Sequence, residues 1–180
     1  MLYLDSTLVG EAYARLRAAN GDTDVLVLGV GDAQMGDEGA GIHVVRHLVR
    51  EPPIPGVRLL DGGIAGAHLL PELDGVRALL IVTAVRDRQP AGAVTYSQPQ
   101  RADDLPCEPT PSREGLAEFF SAALLLGRLP ATHLYSISIS GPCLRGSPLS
   151  VRIAGAVVVA SCTMHGHAAR LASRGHGVLP

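Results

Sequence analysis

The chain has 180 residues, a net charge of −2 and 47% hydrophobic residues, which is enough for one domain with a substantial core. Charged residues make up only 18%, which excludes an intrinsically disordered chain, and the pI near 6.4 argues against a general nucleic-acid-binding protein. All 17 acidic residues lie at or before Glu118, and every basic residue is arginine. The near-neutral total therefore hides a strongly uneven distribution of charge.

The N-terminal residues, the apolar runs and the cysteines together predict the cellular compartment. The first residues contain no basic stretch followed by an apolar core, so no secretory signal is predicted. The most apolar run, residues 153–164, is shorter than the roughly 20 residues that a membrane-spanning helix needs. Three widely spaced cysteines without a CxxC pair indicate reduced thiols. We therefore expect a cytoplasmic protein without membrane association.

Apolar strand patterns alternate with helical patterns along the chain. Residues 25–30 form a continuous apolar run rich in β-branched valine, which is typical of a strand buried on both faces. In chain order, the predicted elements are a helical N-terminal extension over 1–24, strand 25–30, helix 41–49, strand 57–60, short helix 67–73, strand 78–85, a fourth strand over 92–96 nearer an edge, loop 101–111, helix 114–126, strand 133–139 and a long helix over 148–172. This alternation predicts a single α/β domain over 25–180, a three-layer α/β/α sandwich around a mainly parallel sheet of about five strands.

Two glycine-rich loops directly follow the first two predicted strands. They cover residues 29–41 and residues 61–66. Ligands of open parallel sheets bind outside the carboxyl ends of the strands, and glycine lets a backbone or a ligand approach closely. The sequence thus predicts a shallow groove at this edge of the sheet, bordered by carboxylates.

A nucleotide site is a weaker interpretation of the first loop. Gly29 and Gly31 begin a dinucleotide fingerprint, but its third glycine falls on Gln34, and the acidic residues of the loop would repel a pyrophosphate. A Walker A loop requires lysine, which the chain lacks. A small-molecule or nucleotide-binding protein remains a third hypothesis.

The carboxylates of the two loops allow two interpretations. Asp37 and Glu38 precede a helix, where acidic side chains commonly cap the N-terminus, and Asp61 begins a turn that an Asx hydrogen bond would stabilise. Alternatively, because Glu38 and Asp61 follow neighbouring strands, the two carboxylates could bind a divalent metal or share a proton.

The glycine motifs resemble those of a known family. They are Gly29-Val30-Gly31, Gly36-Asp37-Glu38-Gly39-x-Gly41 and Leu60-Asp61-Gly62-Gly63-x-x-Gly66. Supporting features later in the chain are Pro90-x-Gly92-x-Val94, Gly115-Leu116 and Leu149-Ser150. In these motifs the sequence resembles the [NiFe]-hydrogenase maturation endopeptidases over about residues 24–172.

The resemblance implies a twisted central sheet and a proteolytic function. It implies removal of the C-terminal extension of a [NiFe]-hydrogenase large-subunit precursor after nickel insertion, with the substrate-borne nickel as the recognition handle. The family's metal-binding glutamate and aspartate fall on Glu38 and Asp61, which would hold the nickel and act in catalysis beside an activated water.

The family's metal-binding histidine has no counterpart at the matching place. Ser112 stands there, followed by Arg113, whose charge would repel a cation. His68, seven residues beyond Asp61, is the nearest candidate for a replacement ligand, and the alternative is that no histidine replaces the missing one. His43 and His47 have a spacing that can bind a metal, but we assign them to the solvated flank of a helix. The missing histidine keeps open an alternative, a protease-like accessory protein that binds a hydrogenase precursor without cutting it.

Overall fold

The computed structural model describes residues 24–106, 111–141 and 143–175, so the predicted extension lies outside the described residues except for Asp24. The strands are β1 Val25–Val30, β2 Val57–Asp61, β3 Ala78–Val85, β4 Val94–Ser97 and β5 Ala131–Ser138; the α-helices are α1 Ala40–Leu48, α2 Pro111–Leu125 and α3 Val151–Gly175; and 3₁₀ helices cover Gly36–Gly39, Ala67–Leu73 and Ala102–Asp104. The strands and helices predicted from residue 25 onward are thereby confirmed to within a few residues at each boundary.

The five strands form one sheet in the order β2-β1-β3-β5-β4. β2, β1, β3 and β5 pair in parallel, and β4 pairs antiparallel with β5. The position of β4 at the edge of the sheet is as predicted. In the register, Gly29 lies beside Asp61 and Val30 lies beside Thr83. The carboxyl ends of β1, β2 and β3 are therefore level, and the loops that follow them emerge side by side.

Two hydrophobic clusters cover the sheet, which confirms the three-layer prediction. Val25 and Val27 face one cluster, to which α1 and α3 contribute, and the alternating Leu26 and Leu28 face the other, to which α2 and the 67–73 helix contribute. Because β1 is buried on both faces, its sequence shows a continuous apolar run rather than an alternation.

The helices differ from their predicted bounds at their N-terminal ends. Pro111 opens α2, in the first turn where proline's fixed φ is favourable and its missing N–H costs nothing. α3 begins at Val151 rather than at Pro148, and the Ser150 hydroxyl accepts a hydrogen bond from the Ile153 amide at 3.4 Å. Within the described ranges, none of the helices is both long enough and apolar enough to cross a bilayer.

Candidate functional site

The two glycine loops lie against each other at the carboxyl edge of the sheet. The amide of Gly31 donates to the carbonyl of Gly63 at 2.7 Å, and the amide of Gly62 donates to the carbonyl of Gly29 at 2.9 Å. These bonds continue the β1–β2 ladder beyond the strands. The predicted juxtaposition of the loops is therefore correct.

Close backbone packing explains several of the glycines. A Cβ on Gly41 would lie 2.3 Å from the Val82 carbonyl oxygen and 2.4 Å from that of Val30, and a Cβ on Gly29 would lie 2.5 Å from the Gly41 oxygen. Only glycine lets the start of α1 approach the sheet this closely. These positions therefore bring Glu38, just before α1, to the edge of the sheet.

The second loop packs against α2 in the same way. A Cβ on Gly115 would lie 2.3 Å from the Ile64 carbonyl oxygen, and the neighbouring Ala65 has a φ of 62°. A left-handed conformation at a residue with a Cβ costs of order 1 kcal/mol and persists only where the surroundings enforce it. The contact with Gly115 is one such enforcing contact, and it holds the loop that follows Asp61.

Glu38, the first predicted site carboxylate, forms an ion pair with Arg86. Its side chain is 16% exposed, and Arg86 reaches it from the segment directly after β3. The hydrogen bond with Glu38 raises the pKa of the Arg86 guanidinium above its usual value, and Cys143, which also hydrogen-bonds this guanidinium, raises that pKa further. The carboxylate, the guanidinium and the thiol thus form one cluster at the carboxyl ends of β1, β3 and β5.

Asp61, the second predicted carboxylate, is paired with Arg46 of α1. The Arg46 Nη2 lies 3.3 Å from Oδ2 of Asp61, whose side chain is 39% exposed. The other oxygen accepts the Gly63 amide at 3.2 Å, so the predicted Asx turn is present. Sequence reasoning missed both arginines, although Arg86 follows a predicted strand at this same edge of the sheet.

Asp37 connects the first loop to a different helix from the one predicted. Its Oδ1 accepts the backbone amide of Ser150, just before α3, at 2.7 Å. Neither the 36–39 helix nor α1 has a side-chain cap, so the predicted N-terminal capping of the following helix is wrong. Asp37 instead ties the site loop to the start of α3.

The histidines near the site are His43 and His68. His43 is half-buried, and its pKa is lowered mainly by burial and also by Arg46, while Asp61 opposes the shift. The charge of Asp61 therefore acts on His43, which lies half-buried on the flank of α1. His68 is exposed, and its Nδ1 lies 3.2 Å from the position of a Cβ on Gly66.

No three His, Cys, Asp or Glu side chains of the described residues gather into a group that could hold a metal ion. The predicted set of Glu38, Asp61 and His68 is thus not assembled as a ligand cluster in this structure. The roles assigned to these three residues stay predictions.

The place of the family's histidine is buried. Ser112 is only 6% exposed, and the neighbouring Arg113 donates from Nε to the Pro106 carbonyl at 3.2 Å. Arg113 and Arg86 line the same small crevice beside Thr83, at the end of β3. Arg113 therefore lines the same crevice as the arginine that pairs with Glu38.

The comparisons with known proteins agree with this geometry. The chain is 34% identical over 113 residues to the hydrogenase expression/formation protein HupD of Rhodobacter capsulatus, covering 59% of this chain and 52% of that protein. It is 32% identical over 111 residues to the hydrogenase 2 maturation protease of Escherichia coli, covering 59% and 66%. The match thus spans little more than half of the first relative's length. No protein-family model matches the chain.

The fold gives a broader match than the sequence does. The solved structure of the hydrogenase maturating endopeptidase HybD from E. coli superposes with a TM-score of 0.73 at 25% sequence identity, covering 86% of this chain and 94% of that one. Its similarity extends over nearly the whole described domain. In both sequence and fold, the chain is therefore similar to the [NiFe]-hydrogenase maturation endopeptidases.

Proposed function

We propose that this protein is a cytoplasmic endopeptidase that removes the C-terminal extension of a [NiFe]-hydrogenase large-subunit precursor after nickel insertion. The single observation that carries the proposal is the pair of hydrogen-bonded glycine loops, which bring Glu38 and Asp61 to one edge of the sheet. The relatives named as maturation proteases support the reaction class.

In this proposal, Glu38 and Asp61 recognise the nickel that the precursor carries. Carboxylates suit a divalent cation, and a substrate-borne ion needs only part of its ligand shell from the peptidase. If the precursor supplies the remaining ligands of the nickel, the peptidase needs only two, which is compatible with the lack of any three-ligand group among the described residues. Nickel is thus part of the substrate, and the peptide bond to be cut would lie beside a water activated by the metal or by one of the carboxylates.

To bind the substrate's cation, each of the two carboxylates must first release the arginine with which it forms an ion pair. Glu38 is paired with Arg86, and Asp61 is paired with Arg46. Each pair neutralises a carboxylate while the groove is empty, which lowers the attraction for stray cations. A precursor that brings nickel on a complementary surface would displace the guanidinium groups together, so recognition would require the loaded precursor rather than free metal.

The accessory-protein alternative is favoured by Ser112. A buried hydroxyl at the place of the family's histidine provides no imidazole for nickel, and the described residues supply no third ligand in its stead. If nickel recognition with two carboxylates is too weak for catalysis, the protein would bind the precursor without cutting it.

The test is incubation of the purified protein with a nickel-loaded precursor, followed by mass measurement of the precursor's C-terminus. We expect loss of the extension with the wild-type protein, and at least a hundredfold slower loss, on the order of the effect of removing one catalytic electrostatic group, with Glu38→Gln and with Asp61→Asn. The matched control is Glu51→Gln, an exposed carboxylate beyond the far end of α1.

The outcomes separate the hypotheses. Cleavage that persists in both site variants would contradict the two-carboxylate mechanism. An uncut precursor that nevertheless co-purifies with the wild-type protein would identify the accessory protein. Cleavage of the nickel-free precursor at the same rate as the nickel-loaded one would show that recognition does not require the metal.

A further inference from the structure

The outward face of α3 is uncharged and mostly apolar, although it is exposed. Val151, at the first position of the helix, is 92% exposed, and Val159 is 59% exposed. The exposed residues between Arg152 and Arg170 are Ala154, Gly155, Val158, Val159, Cys162 and Thr163. Together with Val151 they form what we call the α3 face. The outward face of a surface helix is ordinarily polar, so this composition is typical of a surface that meets a partner.

The α3 face begins directly beside the edge of the sheet that carries Glu38. The Ser150 amide donates to Oδ1 of Asp37 at 2.7 Å, and the Gly146 amide donates to the Gln34 carbonyl at 2.7 Å. Both bonds join the first glycine loop to the residues that precede α3. A folded protein that presents a peptide bond to Glu38 would therefore extend over the start of the α3 face.

Positive charge borders this surface at both ends. Arg145 and Arg152 are exposed at the end near the site, and Arg170 is exposed at the other end. The sequence contains no Asp or Glu after Glu118, so α3 and the segment before it offer no acidic side chain. A partner that has carboxylates around an apolar patch would complement the α3 face in both charge and polarity.

A second copy of this chain fits the face less well. From Val151 to Thr163 the face is about 18 Å long and about 10 Å wide, so two copies packed face to face would bury on the order of 400 Å². Specific interfaces bury about 1,200 Å² or more, and the arginines around the two copies would repel each other. A partner that covers the site edge and the α3 face together would bury a larger area.

We propose that the α3 face is the docking surface for the folded body of the hydrogenase precursor, through an apolar patch of that body with carboxylates around it. This inference rests on the proposed function, because the precursor is taken to reach Glu38 and Asp61. Cys162 lies about 18 Å along the helix from Ser150, so contacts there are remote from the reacting atoms. Such contacts stabilise the bound substrate and the transition state equally, and losing them should raise KM without lowering kcat.

The first test places charges of the wrong sign on the face. Val158→Glu with Val159→Glu should raise both the Kd for the nickel-loaded precursor and the KM of its cleavage at least about tenfold, with kcat changed less than about twofold. Glutamate has a higher helix propensity than valine, so the variant should fold. The matched control is Leu124→Glu with Leu125→Glu on α2, which packs on the other side of the sheet; these residues are 50% and 88% exposed. This control should bind like the wild type.

The second test concerns the charge around the face. Arg152→Glu should weaken precursor binding at least about threefold, because it reverses a charge that faces the partner's carboxylates. Arg50→Glu makes the same charge change at an exposed position beyond the end of α1 and should have no effect. Equal weakening by both substitutions would show that only net charge matters, which would contradict docking at α3.

The third test identifies the occupant directly. The photo-crosslinking amino acid p-benzoylphenylalanine replaces Cys162, and the protein is irradiated with the purified precursor. We expect a crosslink to the precursor, and none from the same amino acid at Leu125. Crosslinks to a second copy of this chain would identify self-association instead, and crosslinks only within one chain would show that the face is covered internally. Either result would overturn the proposal.

These measurements separate the docking surface from the peptidase activity. If the wild type cleaves the precursor and the Val158/Val159 variant has an unchanged Kd and KM, the docking surface is wrong while the proposed function stands. If the wild type binds without cleaving, and the same variant binds at least about tenfold more weakly, the docking surface stands while the peptidase is wrong. A wild-type protein that does not bind the precursor would overturn both.

Discussion

The Arg86 guanidinium lies against the Glu38 carboxylate at the carboxyl edge of the sheet, so the residue that we assign to nickel already has a cationic partner. The pair is formed by two segments that are 48 residues apart and meet only because β1 and β3 are neighbours. The strength of this contact controls how readily Glu38 accepts another cation.

Arg86→Gln should increase the affinity of the protein for free Ni²⁺ about threefold to tenfold. The substitution removes a positive charge that both pairs with Glu38 and repels an incoming cation. Competition with a nickel-binding dye measures the change. Arg88→Gln, which removes an exposed arginine two residues away, is the control and should behave like the wild type. Equal nickel affinity in both variants would show that Arg86 does not shield the site.

Gly41→Ala should destabilise the domain by more than about 3 kcal/mol. The added methyl group would overlap two backbone carbonyl oxygens, those of Val82 and Val30, which belong to the central sheet and cannot rotate away. Urea unfolding gives the free energies. Gly155→Ala in α3 is the matched control, because a Cβ there meets open space, and it should stabilise by about 0.5–1 kcal/mol. A Gly41→Ala protein of wild-type stability would contradict the packing argument.

Asp37→Ala should lower the free energy of unfolding by about 1 kcal/mol and slow precursor cleavage. The Asp37 carboxylate accepts the Ser150 amide and so joins the first glycine loop to the start of α3. Asp37→Asn keeps an acceptor oxygen and should recover most of the stability. Thermal unfolding and the cleavage assay measure the two effects, and an Asp37→Ala protein with unchanged stability and rate would show that this connection is dispensable.

The domain should lose stability as the pH falls below about 6.5, because of two histidines far from the site. His133 and His167 lie with ring centroids 4.7 Å apart, and each has an Nδ1 2.7 Å from a tyrosine hydroxyl, Tyr96 and Tyr135 respectively. Burial lowers the pKa of His133 below its usual 6.5. Burial also lowers the pKa of His167, and the charges of His133, Arg170 and Arg174 lower it further.

The sign of this effect follows from proton binding. Below pH 6.5 the unfolded chain protonates both histidines more readily than the folded protein does, because folding lowers their pKa values, so protonation favours unfolding. Above pH 6.5 both states are neutral and the contribution disappears. Between pH 7.5 and 5.5, the melting temperature of a His133→Gln/His167→Gln variant should therefore fall by about 2–4 °C less than that of the wild type.

The sequence alone was sufficient for the fold because the fold depends on local patterns. The continuous apolar run at Val25–Val30 and the helical spacing of α1 determine which segments become strands and helices, and their alternation requires a layered parallel sheet. The two glycine loops were also predictable, since loops after neighbouring parallel strands emerge at one edge. Where α3 starts was predicted less well, because it depends on Ser150 and on a distant carboxylate.

The partners of the site carboxylates were decided only by the tertiary structure. Arg46 and Arg86 are unremarkable in the sequence, and nothing local shows that one lies over Asp61 and the other beside Glu38. The same holds for His43, whose helix face is set by how α1 packs on the sheet. Secondary structure follows from the periodicity within a segment, whereas contacts between side chains on different segments depend on strand order, register and helix rotation, which arise only when the whole core packs.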